Sequence, residues 1–192
     1  MAYSRCFEVV DGILVKYYGK GVDVVVPDGV IGIGDHAFAL SKTIESVTLP
    51  DSVKFIGEMA FFECRELKSI NLHEGITIIE KGAFAKCISL TSIVLPNSVT
   101  NISSHTFGYC RGLTSIVLPD TVTAIGDCVF LNCENLKYIR LPSNLKTIGR
   151  SVFSGCENLE RVEISESNPV YKIIDGDIYT KDGLTLVHTF KK

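Results

Sequence analysis

The feature that most constrains this chain is a period of 23 residues, which brings Phe38, Phe61, Phe84, Phe107, Phe130 and Phe153 into one column without a gap. A period of this size marks a solenoid, in which each repeat buries its apolar side against its neighbours. Apolar residues recur ahead of a proline at Pro27, Pro50, Pro96, Pro119 and Pro142, with His73 holding that place once. The period divides the chain into six full rungs at 23–45, 46–68, 69–91, 92–114, 115–137 and 138–160.

One rung, Ser115–Lys137, serves for all. Ile116 and Leu118 alternate as in a half-buried strand, and Pro119 ends it because proline lacks the N–H that pairing needs. Asp120-Thr121 reads as a turn, and Val122 and Ile125 as a second short extended segment. Gly126 is expected to permit the bend that follows; Gly34, Gly57 and Gly149 share its place, whereas Glu80 and Ser103 do not. From Asp127 to Cys133 the apolar residues Val129, Phe130 and Cys133 are spaced like the inner face of one helical turn. The expected fold is therefore a mainly β repeat solenoid with short helical turns.

Residues 1–22 carry two β-rich runs around Asp11-Gly12, a pair suited to the positive φ values of a type I′ hairpin turn, and read as an N-terminal cap. Residues 161–192 begin a seventh rung at Val162 and Ile164. Asn168-Pro169 then breaks the period, and Asp-Gly pairs at 175–176 and 182–183 predict a β-meander that closes the other end.

Among the seven cysteines, Cys64, Cys87, Cys110, Cys133 and Cys156 share one column, three places after the phenylalanines. A small buried apolar residue is the expected role. Stacked rungs lie roughly 4.8 Å apart, within disulfide range, but parallel side chains make bridging strained. A formal charge of −3 and dispersed Lys and Arg argue against nucleic acid. No apolar run approaches the roughly 20 residues of a membrane span, so no membrane insertion is expected. Met1–Asp11 lacks the order of a secretory leader, which places the protein in the cytoplasm if Met1 is the native start and on the cell surface if a leader was removed.

The pattern Leu113-x-x-Ile116-x-Leu118-Pro119-x-x-Val122-x-x-Ile125-Gly126-x-x-Val129-Phe130-x-x-Cys133 resembles the BspA-type leucine-rich repeat family. The resemblance implies a curved, right-handed solenoid with a parallel β-sheet along one face. It also implies a role in adhesion to matrix proteins or to other cells. Departures are modest: Ser41 replaces the column cysteine, and Thr106, Val129 and Val152 replace the usual alanine.

Outward strand residues form ladders on such a face. One reads Val25, Thr48, Asn71, Val94, Val117, Arg140 and Glu163; its neighbour reads Asp23, Ser46, Ser69, Ser92, Ser115, Tyr138 and Arg161. Tyr and Arg are enriched at interface hot spots, so Val94, Val117, Tyr138, Arg140 and Arg161 form the candidate contact patch. A rival cluster is Cys128, beside Asp127 and one rung from His105, which has the residue types of a thiol nucleophile but no loop insertion to build a pocket. The acidic row Asp28, Asp51, Glu74 and Asp120 reads as turn formers rather than metal ligands. Gly32-Ile33-Gly34-Asp35-His36-Ala37 matches part of a dinucleotide fingerprint, yet no long helix follows. Asn101-Ile102-Ser103 is a glycosylation triplet only in a secreted chain. The expectation is a monomeric, non-enzymatic protein-binding module with no cofactor and no metal. An intracellular scaffold is the alternative, and a cysteine-dependent enzyme centred on Cys128 and His105 stands third.

Overall fold

The computed structural model describes residues 6–189; the first five residues of the segment 1–22 and the last three of 161–192 lie outside that range. The chain opens with an antiparallel hairpin, β1 (Phe7–Val10) and β2 (Ile13–Tyr17), turned by Asp11 and Gly12 at φ 49° and 80°. These are the two positive values a type I′ turn requires.

Each rung then contributes up to two short strands on different sides of the coil. The first side holds β3 (Asp23–Val25), β5 (Ser46–Thr48) and β7 (Ser69–Ile70), then β10 (Ser115–Val117), β12 (Tyr138–Arg140) and β14 (Arg161–Glu163). The second holds β4 (Gly32–Ile33), β6 (Phe55–Ile56) and β8 (Ile78–Ile79), then β9 (Asn101–Ile102), β11 (Ala124–Ile125) and β13 (Thr147–Ile148). All pair in parallel with a step of 23 residues, for instance Ser115 with Tyr138 and Tyr138 with Arg161. The hairpin joins the second side, Leu14 facing Ile33. A meander of β15 (Tyr171–Ile174), β16 (Asp177–Thr180) and β17 (Leu186–His188) follows at the other end.

Both sides are interrupted at the same level. Ser92–Leu95 belongs to no strand and pairs with neither β7 nor β10, and β8 does not pair with β9. The expected parallel sheet is therefore present as two segments on either side of this level. In the rung before it, the side-chain amide of Asn71 takes both the N–H (2.6 Å) and the carbonyl oxygen (3.1 Å) of Leu49, in place of the backbone pairing that would continue β7 along β5.

The third side is continuous, but it is not helical. Among the described residues there is no helix, because each rung places two residues in the left-handed region: His36 and Leu40, Met59 and Glu63, Gly82 and Lys86, His105 and Tyr109, Cys128 and Asn132, Ser151 and Gly155. Between Gly34 and Ser41, the N–H groups of Ala37, Ala39 and Ser41 close three overlapping turns onto the carbonyls three residues back. Those of His36, Phe38 and Leu40 donate instead to Glu58, Ala60 and Phe62 of the next rung. A positive φ at the third residue of a turn is the type II geometry. Alternate amides thereby serve as rung-to-rung bonds rather than as the bonds of a helix.

The glycine before this segment has a different role from the one expected. Gly126 and Gly149 do not adopt positive φ; a Cβ on Gly126 would lie 2.6 Å from the backbone nitrogen of Ser104, and one on Gly149 would lie 2.4 Å from the carbonyl carbon of Gly126. Close approach of rungs, not backbone bending, selects glycine there.

The core is one column along the axis. Phe38, Phe61, Phe84, Phe107, Phe130 and Phe153 stack with ring centroids 4.9–5.8 Å apart and planes within 8°. Tyr17 and Phe7 continue the column at one end, and His188 meets Phe153 edge-on at the other. Each buried ring contributes about 1.5–3 kcal/mol. The column cysteines are all free thiols, so no disulfide crosses the rungs.

Candidate protein-binding face

The parallel register of β10, β12 and β14 sets Ser115, Tyr138 and Arg161 side by side, and beside them Val117, Arg140 and Glu163. Strand alternation sends Ile116, Ile139 and Val162 inward and these residues outward. Val94 is 81% exposed and Val117 51%, so two branched apolar side chains of successive rungs face solvent. With Leu95, Asn97, Ser115 and Pro119 they line a shallow hollow of about 350 Å³.

At the end nearer the meander the polar residues are tied to one another. The Tyr138 hydroxyl donates to Glu163 at 2.8 Å, Arg161 pairs with Glu163, and the Arg161 guanidinium lies 5.9 Å from the Tyr138 ring centroid. Burial, and then the bond to Glu163, push the Tyr138 hydroxyl above its ordinary pKa. Arg140 reaches Asp120 at 3.6 Å. The Ser143 N–H first, and Arg140 further, hold the Asp120 carboxyl below the usual carboxylate range. The structure thus places all five candidate residues on one side of the coil, with Val94 on the unpaired segment and the other four on strands. Asp120 and Glu163, which anchor the arginines, were absent from the candidate patch. The period carries the signal for Glu163, which repeats Arg140 one rung on, and Asp120 lies three residues past Val117.

No side-chain hydrogen bond links the members of the thiol cluster among the described residues. The Asp127 carboxylate accepts the Arg150 N–H at 2.7 Å, and no hydrogen bond or ion pair joins Cys128 to His105 among the described residues. Two members of the acidic row serve the backbone: Glu74 accepts from the N–H groups of Asn97 and Ser98, and Asp120 from that of Ser143. No group of three or more metal-ligating side chains converges among the described residues. Gly32 and Ile33 form β4, and turns rather than a helix follow them. No helix among the described residues is long and apolar enough to cross a membrane.

A parallel β-coil with this period and this column of leucines, valines and phenylalanines is a leucine-rich repeat solenoid. The family model described as "BspA type Leucine rich repeat region (6 copies)" matches residues 17–117 and 100–180, and the chain belongs to that family. Its fold is similar to that of a leucine-rich repeat protein of T. pallidum, with 35% identity, 84% of this chain and 83% of that one covered, and a TM-score of 0.77. A leucine-rich cell surface protein of Faecalibacterium prausnitzii shares 26% identity over 94% of this chain and 58% of its own, with a TM-score of 0.71. The pneumococcal vaccine antigen PcpA shares the fold at 23% identity and a TM-score of 0.76, with 92% of this chain and 49% of that one covered. This chain therefore spans about half the length of the latter two proteins. No curated protein sequence matches it. Family and fold are those of repeat proteins that act as protein-interaction modules.

Proposed function

We propose that the chain is a non-enzymatic protein-binding module whose contact surface is the outward face around β10, β12 and β14. Val94 and Val117 form its apolar centre, and Tyr138, Arg140 and Arg161 its polar border. The observation that carries this reading is the exposed pair of valines over the hollow at Asn97 and Pro119, bordered by an aromatic and two guanidinium groups. Interfaces take this form, with an apolar centre inside a rim enriched in Tyr and Arg. The cell surface description of the F. prausnitzii relative favours an adhesive role for an exported form of this chain.

Pull-down from an extracellular-matrix pool and from a cytosolic lysate tests the proposal, with the double variant Tyr138→Ala, Arg140→Ala as comparison. A matrix partner captured by the wild type and lost by the folded variant supports adhesion through this face. Capture that survives the double substitution removes the face from consideration, and capture from the cytosolic pool alone favours an intracellular scaffold.

A further inference from the structure

The two ends of the coil are closed unequally. The hairpin β1–β2 pairs with β4 on the second side, and the meander β15–β16–β17 forms a sheet of its own. Neither pairs with a strand of the first side, so among the described residues β14 ends that side with one edge unpaired.

The open edge has a defined pattern of hydrogen-bonding groups. Arg161 N–H donates to Lys137 at 3.1 Å and the Glu163 carbonyl accepts from Leu141 at 2.8 Å, so both residues bond toward β12. Alternate residues of a parallel strand bond to opposite sides, which turns the N–H and C=O of Val162 and the C=O of Glu160 outward. None of these three groups has a partner among the described residues. Unpaired strand groups of this kind are a template for another strand.

Alongside the edge lies a slot of about 340 Å³, walled on one side by residues 159–162 and on the other by Asp175, Gly176 and Asp177 at the turn between β15 and β16. Its rim is open at Gly176, where nothing lies within 4 Å of the place a Cβ would occupy. Glu160 and Asp175 are exposed at the slot, and neither belongs to an ion pair among the described residues. Arg161, the one cation of the lining, is already paired with Glu163.

We propose that the slot beside β14 is a docking site for an extended segment of another protein, which adds a strand to β10–β12–β14 by pairing with Val162 and carries a lysine or arginine for Glu160 and Asp175. Main-chain bonds supply the affinity in this mode of recognition, and the acidic walls supply the selectivity. The site uses the backbone edge of β14 with the side chains of Glu160 and Asp175 and shares only Arg161 with the proposed face, so a variant at Val94 tests the face without touching the slot.

The test is a titration of isotope-labelled protein with the acetylated, amidated pentapeptide Lys-Val-Thr-Val-Lys, followed at the Val162 amide resonance. Saturable movement of that resonance is expected, and a peptide N-methylated at its central residues should have no effect. Val162→Pro removes the outward N–H while leaving the Arg161 and Glu163 bonds to β12 in place; with binding to this variant followed at the amide resonance of Gly176, which lines the same slot, affinity should fall about tenfold, the loss of one good hydrogen bond. The double variant Glu160→Lys, Asp175→Lys should weaken it as well, whereas Val94→Asp should not. A Val162 resonance unmoved at about millimolar peptide, or undiminished binding by folded Val162→Pro, overturns the proposal. Sedimentation showing a concentration-dependent dimer with the Val162 amide protected would instead make a second copy of the chain the occupant, and overturns it too.

Discussion

The Cys133 thiol donates to the carbonyl oxygen of Phe107, 26 residues earlier, at 3.1 Å, and the same bond recurs from Cys64 to Phe38, Cys87 to Phe61, Cys110 to Phe84 and Cys156 to Phe130. Cysteine is thus selected as a small apolar residue with one weak donor for a carbonyl that the turn geometry leaves pointing inward. Burial pushes Cys64, Cys110 and Cys156 up to about 12, and Cys87 and Cys133 also rise, burial being the main cause for both.

Two outcomes follow for the thiols. The unfolded chain releases these protons near pH 8.5, whereas the folded chain keeps them, so folded stability is full below that pH and falls as pH rises from about 8.5 toward 12. Thermal unfolding across that range should show the midpoint dropping, and a variant with Cys87, Cys110 and Cys133 replaced by alanine should show a shallower fall. In the native protein at neutral pH, alkylation should reach Cys6 and Cys128 and leave the five column thiols unmodified until denaturant is added; mass spectrometry of labelled peptides checks this.

The 23-residue step was legible because a solenoid repeats one environment, so every rung casts another vote for the same inward column. The left-handed pairs were not, since the residues that hold them share no chemistry: His36, Met59, Cys128 and Ser151 occupy one column, and only Gly82 among its members advertises a positive φ. A run such as Val129, Phe130 and Cys133 buries the same side chains whether its backbone forms a helical turn or three overlapping turns, so spacing alone does not distinguish them. The candidate face was legible as ladders. Its interruption at Ser92–Leu95 was not, because Ser92–Leu95 and Ser115–Leu118 are the same four residues, Ser-Ile-Val-Leu, and only the second carries a strand.

Glycines in this coil should respond to substitution according to what limits them. Gly149→Ala places a methyl against the backbone of the preceding rung and should cost about 1–3 kcal/mol or more, although its φ suits any residue. Ser151→Gly, two residues away, relieves an exposed residue held at φ 53° and should raise stability by roughly 0.5–1 kcal/mol after the entropic cost of glycine. Urea denaturation of the two variants should therefore shift in opposite directions. A shared direction would mean that the turn conformation, not the rung spacing, governs both sites.

Asn168, which breaks the period, is the polar plug of the last rung. It is fully buried; its Nδ2 contacts the carbonyls of Pro142 (3.4 Å), Ser143 (3.0 Å) and Leu145 (3.0 Å), and its Oδ1 accepts from the N–H groups of Val170 and Tyr171. The side chain ties the last rung to the start of β15. Asn168→Ala strands several of these groups at once and should destabilise the protein by at least about 2 kcal/mol. The loss should be local first: hydrogen exchange is expected to accelerate over β15–β17 before it does over β10–β13.

The interruption between rungs 69–91 and 92–114 makes the sharpest dynamic prediction. Thr114 donates its N–H to Thr91 at 3.1 Å and Thr123 donates to Thr100 at 2.9 Å, but Thr91 and Thr100 have no such acceptor in the rung before them among the described residues. Across this level the coil is joined by the Phe84–Phe107 stack at 5.8 Å, by Gly82, Phe84 and Lys86 donating to Ser104, Thr106 and Gly108, and by Glu74 at the turn. The amides of Thr91 and Thr100 should therefore exchange roughly tenfold or more faster than those of Thr114 and Thr123. Asn71→Thr frees the Leu49 N–H to donate to the backbone carbonyl of residue 71, as Val26 does to Thr48 and Leu118 to Arg140. That substitution should lengthen β7 and slow Thr91 exchange toward the rate of Thr114. An unchanged Thr91 rate would remove the Asn71 amide as the cause of the break and make His73, whose ring occupies the proline position and contacts the Pro50 carbonyl at 3.0 Å, the next residue to substitute.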